Sequence, residues 1–274
     1  MENVQKKPYV THLADAYAMK WSGCPCVFVL STGRTGTKTL ANLLSLSPDI
    51  AAFHEPVPKL VKASFDAFMQ ADKSLAEHWG SLVMYARDDY IFNANLHGKL
   101  YIETNNRLTY LASALARAFP DSRFIHLHRN PFEVIYSALR RQWYENHPWD
   151  FARIMPRQGD PFAESWNTMT ALEKNAWYWA KVNELIIAFF QSLPDWRKFT
   201  LPSELLFKTD KQTIDALFEF IGAQIPQAMQ IQQVISTKLN AQGGAPSLKT
   251  WTEQERETVK RITQKIAFQL GYEL

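Results

Sequence analysis

Two cations and three threonines lie beside two glycines in one short segment of the chain, residues 33–39. Such a loop offers backbone N–H groups, hydroxyl donors and positive charge, which together bind a phosphate or a sulfate. Residues 26–30 before it predict a buried strand, and leucines at helical spacing follow it. We therefore expect a strand, a tight turn and a helix start that hold an anion. The residues expected to bind it are Gly33, Arg34, Thr35, Gly36, Thr37, Lys38 and Thr39.

The main rival interpretation is the triphosphate loop G-x-x-x-x-G-K-[ST] of nucleotide kinases and hydrolases. Lys38-Thr39 matches its end, but Thr37 replaces the second glycine, and the glycines of this chain are three residues apart instead of five. No apolar strand ends in an Asp that could hold magnesium. A kinase or hydrolase remains the alternative enzyme, and a nucleotide-binding protein without activity is the alternative of another class. A turn that binds nothing is disfavoured, because it would not need two cations and three threonines.

A second anion site is predicted where Arg129 follows the apolar segment Arg123–Leu127. The carboxyl end of a strand is where open α/β sheets bind ligands. Asn130 and Pro131 then begin a helix, as N-cap and first helical residue. Ser137 lies about two turns into that helix. A guanidinium and a hydroxyl so placed can share one phosphate.

Together the two segments resemble the sulfotransferases that use 3′-phosphoadenosine 5′-phosphosulfate as donor. Residues 33–37 are similar to the family's 5′-phosphosulfate loop, a basic residue followed by Ser/Thr-Gly-Thr. The resemblance implies that Arg34 contacts the bridging and sulfuryl oxygens. Lys38 stands where the family more often has Thr, and we assign it to charge stabilisation with Arg34.

The family's 3′-phosphate motif is similar to the second segment, an apolar strand followed by Arg-(Asp/Asn)-Pro and a Ser eight residues after the Arg. Arg129 and Ser137 match in register, so the resemblance implies that they bind the 3′-phosphate. Near the C-terminus the cytosolic members carry Arg-Lys-Gly. Residues 238–244 take its place here, with Lys238 as the candidate contact. The resemblance extends from about residue 26 to residue 274 and is specific only in the two phosphate motifs.

Sulfuryl transfer needs positioning, charge stabilisation and a base for the acceptor's proton. Glu55 follows the second predicted strand, before Pro56, which disfavours a helical Glu55. Glu55 resembles the catalytic Glu of carbohydrate and protein sulfotransferases. Phenol and steroid members instead use a His after the third strand, where this chain has Asn105, which cannot act as a base. His54 is the second candidate. A surface carboxylate or a structural ion pair with Arg34 is the alternative for Glu55.

The elements that must position these residues indicate an α/β fold. Five strands are predicted, at 26–30, 50–53, 100–102, 123–127 and 198–201, alternating with helices, which favours a mostly parallel sheet covered on both faces. Helices are predicted over 108–119, from 131, and over 251–270. The resemblance implies a sulfotransferase fold of the P-loop NTPase type, as a single domain over residues 1–274. A tryptophan-rich insertion at about 142–180 is expected to contribute to the acceptor site, or else to form a second small core.

Composition limits the partners. The 274 residues carry a formal charge of +3 without a Lys/Arg-rich run, which argues against nucleic acid and is compatible with a small anionic ligand. No segment is apolar enough over its length to predict a membrane span, so a cytoplasmic enzyme is expected. The cysteines, Cys24 and Cys26, are too close for an unstrained disulfide. The acceptor is expected to be a small molecule or a carbohydrate, sulfated on a hydroxyl or an amine, and no oligomeric state is predicted.

No metal is expected in this chemistry. His126 and His128 alternate on the fourth predicted strand and therefore face the same side, where they could form part of a metal site. A third ligand is not evident from the sequence. We therefore expect both to be buried, hydrogen-bonded histidines.

Overall fold

A computed structural model describes residues 23–70, 76–237 and 251–274 of the chain. Five strands form one parallel sheet in the order β2-β3-β1-β4-β5. Each begins at its predicted residue, and all but the first continue one or two residues beyond the predicted end. The predicted parallel α/β sheet is confirmed. The strands are β1 (Cys26–Leu30), β2 (Ile50–His54), β3 (Leu100–Thr104), β4 (Arg123–His128) and β5 (Lys198–Pro202).

Helices cover both faces of this sheet. Those described are α1 (Thr37–Leu44), α2 (Val61–Gln70), α3 (Ala76–Leu96), α4 (Ala112–Ala118), α5 (Pro131–Leu139), α6 (Ala171–Gln191), α7 (Ser203–Phe207), α8 (Lys211–Ile221), α9 (Ala228–Ser236) and α10 (Glu253–Gln269). None of the helices in the described ranges is both long and apolar enough to cross a bilayer.

The central strand shows how the core is divided. All five residues of β1 are buried, as expected for a parallel strand covered on both faces. Val27 and Val29 pack with α1 and α8 on one face. Phe28 and Leu30 point to the other face and pack with α3, α4 and α6. Two hydrophobic layers therefore enclose the sheet.

The strand order places a ligand crevice between β1 and β4. From β1 the chain runs through α1 to β2 at one edge of the sheet, whereas from β4 it runs to β5 at the other edge. Adjacent parallel strands whose connections leave in opposite directions open a crevice beyond their carboxyl ends. Both predicted anion motifs begin at these two strand ends.

The predicted helix over 108–119 is wrong in its first half. A 3-10 helix spans Asn106–Leu111, and α4 follows it. The Asn105 side chain accepts the backbone N–H of Arg107 at 3.0 Å. The Thr109 hydroxyl contacts both backbone groups of Ser31 at 3.2 Å. These bonds hold the turn against the end of β1 and compete with regular helix there.

The tryptophans of the predicted insertion divide between core and surface. Trp143 and Trp177 belong to the hydrophobic layer around α3, α4 and α6. Trp179 is fully buried between α5 and α10, and its indole N–H donates to the Arg129 carbonyl at 3.0 Å. Trp149 remains exposed. Much of residues 142–180 therefore packs as core of the surrounding structure, and Trp143 and Trp149 also line a cavity at the site.

The two histidines of β4 are buried and hydrogen-bonded, as predicted. His126 Nε2 lies 2.8 Å from Asn183 Oδ1, and His128 Nδ1 lies 2.8 Å from the Tyr272 hydroxyl. In the described part of the chain, no three His, Cys, Asp or Glu side chains are grouped so that they could hold a metal. Burial, with the neighbouring His128, lowers the pKa of His126 to about 3, and burial lowers the pKa of His128 to about 4.

We expect these histidines to make the fold acid-sensitive. In the unfolded chain they titrate near pH 6.5, so below that pH the unfolded state binds more protons and the folded state loses stability. Between pH 7.0 and 5.5 the loss should be about 1 kcal/mol for each histidine. Urea unfolding at both pH values measures it. In His128→Gln the difference between the two pH values should shrink, and an unchanged difference would contradict the assignment.

Candidate functional site

The loop after β1 has a backbone that its residue types explain. Gly33 and Gly36 adopt left-handed φ values of 76° and 92°, which glycine reaches without steric cost. A Cβ on Gly36 would lie 2.5 Å from Cζ of Phe207, so a side chain cannot be accommodated there. Arg34 is also left-handed, with φ of 58°, and this strain in a non-glycine residue is typical of functional sites.

The two anion motifs are tied together by side chains. Arg34 Nε donates to the Ser137 hydroxyl at 3.0 Å, which joins the β1 loop to α5. The Ser203 hydroxyl contacts the carbonyls of Thr35 at 2.5 Å and His128 at 2.8 Å. The Thr35 hydroxyl is buried without a protein partner, which fits a loop that is completed by a ligand.

Arg129 lies just beyond β4, beside the loop. Its Nη2 is 3.1 Å from Glu133, one turn along α5, and its guanidinium stacks over the Phe207 ring with 5.4 Å to the centroid. The side chain is 28% exposed, so it faces the crevice while its position is constrained. Phe207 therefore packs between the two motifs, against both Gly36 and Arg129.

A cavity of about 600 Å³ opens over these residues, and we call it the larger cavity. It is lined by Arg34, Gly36, Thr37, Lys38, Thr39, His54, Glu55, Arg129, Glu133, Tyr136, Ser137, Arg140, Phe207, Ile235 and Thr237. Cations and hydroxyls outnumber its two carboxylates, a donor set that fits a nucleotide with several anionic groups. Of the other predicted contacts, Gly33 lines a second cavity, Thr35 lies in the loop, and Lys238 lies outside the described residues.

The second cavity, of about 280 Å³, adjoins the first, and we call it the smaller cavity. It is lined by Gly33, Arg34, His54, Glu55, Lys59, Val61, Asn105, Asn106, Arg107, Arg141, Trp143, His147, Trp149 and Arg153. Arg34, His54 and Glu55 line both cavities. The predicted charge-stabilising cation and both candidate bases therefore stand where the two spaces meet.

Glu55 follows β2 directly, at the carboxyl edge of the sheet. Its backbone N–H donates to the Thr104 carbonyl at 3.1 Å. Its φ of 47° is left-handed. A residue before proline is expected to avoid the right-handed helical region, and Glu55 does so. The left-handed conformation that it adopts instead is strained for a residue with a side chain. The carboxylate is 37% exposed and lies 3.6 Å from the Lys59 ammonium. The alternative interpretation of Glu55 as a structural residue predicted an ion pair with Arg34 instead.

His54 is held by Thr104 through one ring nitrogen. Nδ1 lies 3.2 Å from the Thr104 carbonyl and 3.0 Å from its hydroxyl. A carbonyl only accepts, so in the bond to it Nδ1 carries the proton and Nε2 is left with a lone pair. Burial lowers the pKa of His54, and Glu55 opposes that change in part. A neutral imidazole with a free nitrogen keeps His54 as the second candidate base.

Arg34 is surrounded by other positive charge. Burial, together with the nearby charges of Arg141 and Arg129, lowers the pKa of Arg34 to about 10, and Glu55 opposes that change. The guanidinium remains charged at neutral pH. Like charges held this close produce a positive potential that an anionic ligand can neutralise.

A buried ion pair supports this edge of the sheet, and sequence reasoning missed it. Arg87 Nε and Nη2 lie 2.7 Å and 2.9 Å from the two carboxylate oxygens of Glu103. The same carboxylate accepts bonds from Tyr101 at 2.8 Å and from the Asn105 amide at 2.9 Å. Arg87 lies on α3, where an arginine is expected at the surface, so nothing in the sequence marked it.

Glu204 is a second residue that the sequence did not mark as part of the site's support. Its Oε1 accepts the backbone N–H of Asn130 at 2.8 Å, and its Oε2 accepts the Tyr272 hydroxyl at 3.0 Å. The carboxylate thus ties the start of α5, immediately after Arg129, to the C-terminal segment. Both partners, Asn130 and Tyr272, are distant from Glu204 in sequence, and only the fold reveals these contacts.

Solved structures with a similar fold support this architecture. The sulfotransferase domain from the curacin biosynthetic pathway has a TM-score of 0.54 and 16% identity, over 90% of this chain and 98% of its own. The sulfotransferase domain of the Synechococcus PCC 7002 olefin synthase has a TM-score of 0.55 and 15% identity, over 91% and 95%. A sulfotransferase from Alicyclobacillus acidocaldarius has a TM-score of 0.53 and 18% identity, over 91% and 97%. At such identities the likeness shows the fold.

The family assignment comes from the sequence itself. No curated protein matches the chain significantly over its sequence. The sequence profile described as the sulfotransferase family matches residues 25–227, which include all five strands and both predicted anion motifs. The chain therefore belongs to the sulfotransferase family.

Proposed function

We propose that the protein transfers a sulfuryl group from 3′-phosphoadenosine 5′-phosphosulfate to a hydroxyl or amine of a small molecule or carbohydrate. One observation carries the proposal. The larger and smaller cavities, which in this proposal are the donor cavity and the acceptor cavity, share only Arg34, His54 and Glu55. A transfer reaction needs its charge-stabilising group and its base at the boundary between two substrates.

The donor would be held by the two anion motifs. Arg129 and Ser137 would bind the 3′-phosphate, and the loop from Gly33 to Thr39 would bind the 5′ group at the start of α1. The bound donor supplies a sulfuryl group joined to phosphate through an anhydride oxygen. In this proposal Arg34 must exchange its bond to Ser137 for bonds to the ligand.

Glu55 would accept the proton that the acceptor loses as its oxygen or nitrogen bonds to sulfur. Arg34 and Lys38 would donate to the oxygen that leaves with the electrons of the breaking S–O bond. They take the part that magnesium plays in phosphoryl transfer. The acceptor would lie in the smaller cavity, against the tryptophans contributed by residues 142–180.

The first test is a calorimetric titration with the desulfated product, 3′-phosphoadenosine 5′-phosphate, beside ATP and AMP. We expect the 3′,5′-bisphosphate to bind without magnesium and AMP to bind far more weakly. Arg129→Gln should weaken the bisphosphate about 10- to 100-fold, because it removes charge-assisted hydrogen bonds.

The matched control is Arg261→Gln, on α10, an exposed arginine that lines neither cavity. It should bind the bisphosphate like the unchanged protein. Preference for ATP with magnesium would instead favour the kinase-like alternative. If Arg129→Gln leaves the affinity for the bisphosphate unchanged, the 3′-phosphate is bound by other residues.

A further inference from the structure

The acceptor cavity carries more positive charge than the transfer reaction needs. Arg34, shared with the donor cavity, is assigned to the leaving oxygen. Arg107, Arg141 and Arg153 line the acceptor cavity and do not line the donor cavity. Glu55 is the single carboxylate in the lining, and Lys59 already lies 3.6 Å from it. The three remaining arginines need another explanation.

One of these arginines is structural. Arg153 is buried, its Nε lies 2.9 Å from Asp150, and its guanidinium stacks on Trp143 with 3.9 Å to the ring centroid. Asp150 therefore balances Arg153 and fixes it against the aromatic wall. The charge of this arginine is accounted for within the protein.

The other two are not balanced in this way. Arg107 makes a long contact of 3.4 Å to the Ala152 carbonyl, which leaves most of its donors unused. Arg141, half-buried at the end of α5, makes no side-chain hydrogen bond or ion pair within the described ranges. Two partly buried guanidiniums for which the described residues provide no counterion are costly, and a bound anion would remove that cost.

His147 adds a neutral donor beside them. Its Nδ1 accepts the backbone N–H of Trp149 at 3.1 Å, which leaves the ring proton on Nε2. Burial lowers the pKa of His147, and Arg153, Arg141 and Arg107 add to that effect while Asp150 opposes it. A neutral imidazole N–H that lines the same cavity as the Arg107 and Arg141 guanidiniums completes a donor set for a carboxylate or a phosphate.

We propose that the acceptor carries an anionic group, a carboxylate or a phosphate ester, that Arg107 and Arg141 bind while its hydroxyl or amine faces Glu55. The cavity volume of about 280 Å³ suits the binding of a small molecule or of one end of a larger one. Trp143 and Trp149 offer aromatic surface between the two ends. The inference rests on the proposed function, because it takes the smaller cavity as the acceptor site.

The test uses three benzyl alcohols that differ only in their remote group: 4-(hydroxymethyl)benzoate, 4-(hydroxymethyl)phenyl phosphate and the neutral 4-(hydroxymethyl)benzamide. Each is titrated calorimetrically into the full-length protein saturated with 3′-phosphoadenosine 5′-phosphate. We expect at least one anion to bind about 10-fold or more tightly than the amide, as one or two charge-assisted hydrogen bonds imply. The anion that binds more tightly shows whether the site prefers a carboxylate or a phosphate.

Arg141→Gln, titrated with the bisphosphate still at saturation, should remove most of that preference, and Arg261→Gln should keep it. The inference is overturned if the amide binds as well as both anions, if neither anion binds, or if Arg141→Gln keeps the preference. The two proposals fail separately. Failure of the proposed function appears as absent bisphosphate binding, whereas failure of this inference appears in a protein that binds the bisphosphate.

Discussion

Glu55→Gln is expected to lower the turnover number for sulfuryl transfer by about 10²- to 10⁴-fold, the usual contribution of a positioned general base. Gln keeps the size and hydrogen-bonding capacity of the side chain but cannot take the acceptor's proton. Binding of 3′-phosphoadenosine 5′-phosphate should be unchanged, because Arg129 and the loop after β1 remain intact. The measurement is the rate of bisphosphate formation with a screened acceptor, with calorimetry on the same preparations.

The matched variant for this prediction is His54→Gln. If Glu55 is the base, losing the imidazole should cost much less activity than Glu55→Gln, since the role of His54 is then to bond to Thr104. The reverse order of effects would make His54 the base, which its neutral state and free Nε2 would permit. Equal and complete loss in both variants, with bisphosphate binding preserved, would mean that the two side chains act as one unit.

The sheet could be predicted from sequence because its strands are short apolar runs with clear starts. The predicted ends were too early where the last residues are polar. Thr104 and His128 extend β3 and β4 and are buried nonetheless, because Thr104 has a hydrogen-bond partner in His54 and His128 has one in Tyr272. A hydrophobic pattern predicts loop where polar residues end a strand. The ligand-binding edge of a parallel sheet is nevertheless built from such residues.

The candidate site could be predicted in part for the same topological reason. Once β1 and β4 are neighbours, the loop carrying Arg34 and the turn carrying Arg129 must open into one crevice. What the sequence could not supply is pairing across the fold. Ser203 contacts the carbonyls of Thr35 and His128, which are distant in sequence, and its residue type alone looks like an ordinary surface choice.

The buried pair of Arg87 and Glu103 makes the largest stability prediction. Both side chains have no exposure to solvent. Burial alone would lower the pKa of Arg87, but the hydrogen bonds and charge of Glu103 raise it above its ordinary value, so Arg87 keeps its charge in the core. Arg87→Met should destabilise the fold by about 3–5 kcal/mol, because it leaves a carboxylate in the core without its counterion.

Urea unfolding of Arg87→Met, Glu103→Gln and the double variant separates the pair from its surroundings. Each single change should be costly, and the double variant should lose much less than their sum, because it leaves no unpaired charge. Additive losses, or a stable Arg87→Met, would show that the ion pair contributes little.

The pair also has a consequence for the site. Glu103 accepts the Asn105 amide at 2.9 Å, and Asn105 in turn accepts the backbone N–H of Arg107 at 3.0 Å. The ion pair thus holds Asn105, two residues before the proposed anion-binding Arg107. Under conditions where Arg87→Met is still folded, it should bind 3′-phosphoadenosine 5′-phosphate normally but show a weaker preference for the anionic benzyl alcohols. A purely structural pair would leave that preference unchanged, because the donor cavity and Arg141 do not depend on Asn105.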